Sequence, residues 1–166
     1  MTNEWDPIWL ERFAAQATFP AEALAGVPAE QLDARLVEGK WSIRELVVHC
    51  VDADLVGGWR LRRVIAEPGP SFWAYDENAF LARLSPATRS LERLAELFRL
   101  HRLDLHAILS ALTPDDFART GTHSENGPMS LGQLVRVYVE HIESHRRHLN
   151  LKRTMLGLEP TREMTW

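Results

Sequence analysis

Residues 131–152 read LGQLVRVYVEHIESHRRHLNLK. Leu131, Leu134, Val135, Tyr138, Ile142 and Leu149 return at intervals of three and four, the period of a helix with one apolar face. Ser130 followed by Gln133 predicts a capping box, and Met129 with Leu134 a hydrophobic staple, so the helix should open at Ser130 and end near Leu156-Gly157. His141 and His145 stand one turn apart on the same side, a spacing that lets one metal ion take two ligands from one helix. At about 100° per residue, His145 falls roughly 40° from the centre of the apolar face, His141 about 80° and His148 about 100°.

Working outward, the chain shows helical periodicity in three further places. Residues 5–17 carry Trp5, Ile8, Trp9, Leu10 and Phe13 on one side, after which Pro20, Gly26 and Pro28 are expected to break the pattern. A short helical piece is expected over residues 29–36. Ser42 and Glu45 form a second capping box, with Trp41 and Leu46 as its staple. That helix should run to Glu67, before Pro68-Gly69-Pro70 stops it. Ser85-Pro86 has the form of a cap followed by proline at the first helical position, predicting a third long helix to about Leu112. Between them lies the aromatic connection Ser71–Leu84. Residues 121–128 read as a polar loop, and strand signals are weak throughout. Three long amphipathic helices and a shorter N-terminal one predict an all-α, four-helix bundle in a single domain over residues 1–166.

Composition bounds the function. The 166 residues are 45% hydrophobic and 25% charged, with a net charge of −4. This is an ordinary globular balance, and it argues against nucleic acid or an anionic membrane as partner. The one cysteine, Cys50, excludes an internal disulfide and reads as a small buried hydrophobe. With no membrane-length apolar run and no leader-like N-terminus, a cytoplasmic location is expected. Trp59 and Trp166 read as exposed and permit a homodimer.

The helix opening at Ile43 turns Leu46, Val47, Cys50, Leu61, Val64 and Ile65 inward. His49 lies to the side of that face, with Asp52 placed to hydrogen-bond the outer nitrogen of a ligating imidazole. Asp54 falls near the middle of the apolar face and requires a partner or a wet cavity. Gly57 and Gly58 allow a close approach to this helix. His101 and His106 read as core or surface residues.

Residues 40–52, KWSIRELVVHCVD, resemble the first motif of the DinB/YfiT-like metalloprotein superfamily. Tyr75-Asp76-Glu77 is similar to the middle of its YfiT branch, and residues 122–127 with His141-Ile142-Glu143-Ser144-His145 to its end. The likeness spans residues 40–151 in order. It departs at Glu140, where that branch tends to carry an aromatic, and at Glu143.

The resemblance implies a four-helix bundle that binds one divalent metal ion through His49, His141 and His145 and leaves a coordination position open. Zinc is expected first, with nickel or iron also suited to imidazole. Asp52 and Asp54 are the candidate catalytic residues: Asp52 would orient His49, and Asp54 or Glu77 would act as general base or hold the polar end of a thiol. Tyr75, Glu77 and His123 are the candidate substrate-binding residues. Transfer of a low-molecular-weight thiol, as co-substrate, onto a small electrophile is the reaction expected first. Hydrolysis by metal-activated water and a non-catalytic metal-binding bundle are the alternatives. In the last of these, Asp54 or His148 would close the site as a fourth ligand.

Overall fold

The computed structural model describes residues 5–162. Trp166 lies outside the described residues. Helix α1 (Ile8–Ala15) runs through a 3-10 turn, Gln16–Thr18, into α2 (Phe19–Leu24), and together they form one side of a bundle. The other sides are α3 (Ile43–Ala66), α5 (Leu91–Ser110) and α6 (Leu131–Met155). A short helix, α4 (Glu77–Arg83), crosses the connection between α3 and α5. Helix α3 packs on both α5 and α6, and α1 packs on α5 and α6. No described helix is long and apolar enough to cross a membrane.

Both expected capping boxes form. The Glu45 amide donates to Ser42 Oγ at 3.1 Å and the Ser42 amide to Glu45 Oε2 at 2.8 Å. The Gln133 amide donates to Ser130 Oγ at 3.1 Å and the Ser130 amide to Gln133 Oε1 at 2.8 Å. Each box satisfies amides that the first helical turn leaves without an intrahelical partner.

Three expectations about the helices change. Pro20 opens α2 rather than breaking a helix, because an amide is not needed in the first turn. Residues 29–36 give only the 3-10 turn Ala29–Gln31. Ser85 takes a left-handed conformation, with φ of 49°, and Pro86–Thr88 makes a single 3-10 turn. Arg89 is then extended, and α5 starts at Leu91 with Ser90 as its cap. The extended residue carries the Arg89 guanidinium to Asp52 on α3, so a tertiary ion pair overrides the local helix signal.

Residues 120–130 form an antiparallel hairpin rather than a polar loop. Strand β2 (Thr120–His123) pairs with β3 (Gly127–Ser130), and β1 (Ser71–Phe72) pairs in parallel with β2. A Cβ on Gly121 would stand 2.5 Å from the Phe72 ring, so only glycine lets that ring reach the core. Strands this short, rich in glycine and small polar residues, carry too few alternating apolar positions to announce themselves.

The core has two parts. Phe19, Ile43, Leu46, Phe98, Ile142 and Leu149 belong to one, and Phe13, Leu61, Phe72, Leu105, Leu131 and Leu134 to the other. Along α1–α2, α3, α5 and α6, a polar layer falls between them. Arg102, 1% exposed, donates through Nε to Asp54 Oδ1 at 2.7 Å. Its remaining nitrogens reach Gln16 Oε1 at 2.9 Å, the Phe13 carbonyl at 3.3 Å and the Tyr138 carbonyl at 3.1 Å. Gln16 in turn donates to the Val139 carbonyl at 3.1 Å. The layer therefore ties together α1 with its 3-10 extension, α3, α5 and α6.

Gly57 and Gly58 give the close approach read from the sequence. A Cβ at Gly57 would lie 2.4 Å from the Tyr138 ring, and one at Gly58 would lie 2.3 Å from His101.

Candidate metal centre

His49 from the second turn of α3 meets His141 and His145 from the middle of α6. The i, i+4 spacing aims the α6 pair at one point, and the packing of α3 on α6 brings His49 to it. His49 Nε2 stands 3.0 Å from His141 Nε2, which stands 3.1 Å from His145 Nε2. One nitrogen from each ring lies within 4.8 Å of the others, and this is the group of three metal-ligating side chains found among the described residues. Trp41, the residue before the Ser42 cap, walls the cluster: its ring centroid is 4.5 Å from His49 and 6.1 Å from His145.

Burial controls the charge of the cluster. His49 is 3% exposed. Desolvation pushes its pKa down from 6.5 to about 4, against the opposing pull of Asp52. His141 is likewise lowered to about 4, by burial first and then by the neighbouring His49. Burial, followed by repulsion from His141, His49, His148 and Lys152, lowers His145 to about 3. All three are neutral at pH 7 and present lone pairs, as a metal requires.

The donor set fits a divalent ion. Nitrogens bound at about 2.0–2.1 Å in a tetrahedral array lie about 3.3 Å from each other, close to the 3.0 and 3.1 Å found here. No fourth side chain joins the three among the described residues. His148 is exposed, with its ring centroid 6.3 Å from that of His145.

The carboxylates on α3 have other duties than those expected. Asp52 binds Arg89 through both oxygens, at 2.8 and 2.9 Å, rather than the outer nitrogen of His49. Asp54 is 4% exposed and accepts from Arg102 and, at 2.8 Å, faces His101 Nδ1. Each of its oxygens has a partner, so the expected need for one is met inside the bundle. His101, read as a core or surface residue, is the outer member of that network.

His123 sits in the hairpin. Its Nδ1 accepts from the amides of Glu125 and Asn126 at 3.2 and 3.3 Å, and its ring packs edge-on against Phe72. It closes a turn and makes no contact with the three histidines. Tyr75 is half-buried, with its ring 4.8 Å from Phe80 and 6.0 Å from the Arg60 guanidinium carbon. Burial, then the charge of Glu77, raises its pKa.

Glu77, at the start of α4, lines a cleft of about 370 Å³ together with Trp41, Asn78, His145, His148 and Lys152. Sequence reading missed Trp41 as a wall of the cluster, having assigned it to the staple, and missed Lys152. The signal for Lys152 was its position seven residues after His145, two turns along the same face. The acidic departures at Glu140 and Glu143 are structural: Glu140 pairs with Arg136 on the surface, and Glu143 binds Arg12 and ties α1 to α6.

Relatives share this chain and fold. A protein of Oceanobacillus iheyensis named "Putative metal-dependent hydrolase" is 30% identical over 120 residues, covering 72% of this chain and 69% of that one. One of the same name from Bacillus licheniformis is 31% identical over 138 residues, covering 81% of this chain and 77% of the relative. YfiT from Bacillus subtilis, a four-helix bundle of unusual topology, superposes with a TM-score of 0.86 at 22% identity, covering 96% of this chain and 91% of the other. The DinB superfamily model matches residues 14–149. With that match across most of its length, and relatives at 30% identity, the chain belongs to the DinB superfamily.

Proposed function

We propose that this chain is a metal-dependent enzyme that hydrolyses a small molecule, with one divalent ion, zinc first, held by His49, His141 and His145. The observation that carries it is the convergence of three neutral imidazole nitrogens with no fourth protein ligand among the described residues. The name borne by the relatives supports hydrolysis. When bound, the ion supplies Lewis-acid activation and a water or thiol nucleophile at neutral pH.

The chain's own residues do the rest. Burial keeps the three histidines deprotonated. Trp41 shields one side of the cluster from water. Glu77, exposed at the cleft, makes no hydrogen bond or ion pair among the described residues. It is the carboxylate free to accept the proton released as water attacks, whereas Asp52 and Asp54 are held by arginines.

Transfer of a low-molecular-weight thiol to an electrophile is the second reading. The observation favouring it is that no carboxylate is hydrogen-bonded to any of the three histidines among the described residues. A thiol acidified by a metal needs no separate base.

Elemental analysis of wild type beside His49→Ala and His141→Ala tests the site. Wild type should hold one equivalent, and each variant should lose it under dialysis that the wild type survives. Turnover of simple esters or amides without added thiol then supports hydrolysis. Turnover of an electrophile only with a thiol present supports transfer. A metal-loaded protein inert to both would overturn the enzymatic reading.

A further inference from the structure

We propose that the cleft beside His145 takes its substrate by an anionic group, a carboxylate or a phosphate, and that Lys152 is the residue that binds it. The inference rests on reading this cleft as the substrate site.

Lys152 is 3% exposed, yet it makes no hydrogen bond or ion pair among the described residues. Among the described residues, the buried side-chain atoms without a partner are Arg60 Nε and Arg146 Nη2 and do not include Lys152 Nζ, so the covered stem of Lys152 ends in an ammonium that opens into the cleft without an ion pair. Arg102 and Arg153, comparably buried, each have several oxygen partners. Lys152 differs in that it lines the cleft shared with Trp41 and His145.

The surroundings add positive charge. Lys40 lines the same cleft, and burial together with Lys40 lowers the Lys152 pKa. The acid among the lining residues is Glu77, which is exposed and forms no ion pair with either lysine. The cleft therefore carries two ammonium groups without an ion pair among the described residues, Lys152 covered and Lys40 exposed, beside the exposed carboxylate proposed to move protons.

Geometry limits the ligand. The cleft, about 370 Å³, suits a small molecule. Lys152 lies seven residues beyond His145, about 10 Å of helix rise, and its own side chain spans part of that distance. The anionic group thus sits a few bonds from the reacting centre. Asn78 offers a neutral amide beside it.

Calorimetric titration of the full chain, freed of metal by chelation, tests this with succinate, inorganic phosphate and the uncharged succinamide. Wild type should bind succinate or phosphate and not succinamide, and the better anion identifies the group. Lys152→Met should weaken anion binding at least tenfold, while Lys152→Arg keeps it within about threefold. Equal binding by wild type and Lys152→Met, or no anion binding by wild type, overturns the proposal.

Nuclear magnetic resonance of the wild type covers the case in which Lys152→Met does not fold. Shifts of the Trp41 indole and Asn78 amide on adding succinate or phosphate support the site, and shifts confined elsewhere refute it. Because the protein is metal-free, loss of anion binding is distinct from loss of metal uptake, which bears on the enzymatic reading alone.

Discussion

His49 Nε2 and His141 Nε2 lie 3.0 Å apart although 92 residues separate them in the chain. Both rings stay neutral at pH 7 because burial opposes charge. The folded pKa values, about 4 for His49 and His141 and about 3 for His145, lie below the 6.5 of the unfolded chain. In that interval the unfolded state binds more protons, so the cluster costs nothing above pH 6.5 and its penalty grows as pH falls to about 4. In chelator, thermal stability should fall steadily across this window, at most by about 4 kcal/mol per pH unit if all three histidines contribute. His145→Ala should make the fall shallower. A melting temperature flat across this interval in both proteins would contradict the burial of the cluster.

Asp52 and Arg89 form a two-pronged ion pair between α3 and the extended residue that precedes α5. Asp52→Ala should therefore lower stability by about 1–3 kcal/mol, read by urea denaturation, while metal stoichiometry stays at one. If Asp52 instead orients His49, metal affinity should drop ten- to a hundredfold with little change in stability. Competition with a colorimetric chelator separates the two results.

Much of this was legible in the chain, and the illegible parts share a cause. The α3 and α6 starts were readable because each capping box lies within four residues. The His141–His145 pair was readable from helix period alone. Arg89 and Asp52 are 37 residues apart, and the pair that delays α5 leaves no trace in local spacing. Asp54 was readable as a buried acid in need of a partner, but its partner Arg102 lies 48 residues away on another helix. The hairpin at residues 120–130 depends on Phe72 filling the space above Gly121, again a tertiary fact. Periodicity places a side chain on a face, but it does not say what faces it.

The buried Asp54–Arg102 pair should be structural. Asp54→Leu strands a guanidinium that is 1% exposed, and loss of one buried partner typically costs about 3–5 kcal/mol. Replacing both, in Asp54→Leu with Arg102→Met, should recover a substantial part of that loss, since an apolar pair needs no desolvation. A double-mutant cycle by denaturant unfolding measures this. Additive losses would mean that the two residues act through Gln16 and His101 rather than through each other.

Glu77 decides between the two chemistries. Water attacking an ester or amide must give up a proton, and a positioned carboxylate that accepts it typically contributes a factor of about 10²–10⁴. Glu77→Gln keeps the shape and the cap at Asp76, whose side chain accepts from the Ala79 amide at 2.9 Å, so α4 should stay folded. Under hydrolysis, kcat should fall at least a hundredfold with metal content unchanged, and the acidic limb of the pH–rate profile should be lost. Under thiol transfer, the nucleophile is deprotonated without Glu77, and kcat should change by less than about threefold. Normal hydrolysis by Glu77→Gln would remove Glu77 from the mechanism. The proton would then have to pass to solvent or to a group other than Asp52 and Asp54, which are both bound to arginine.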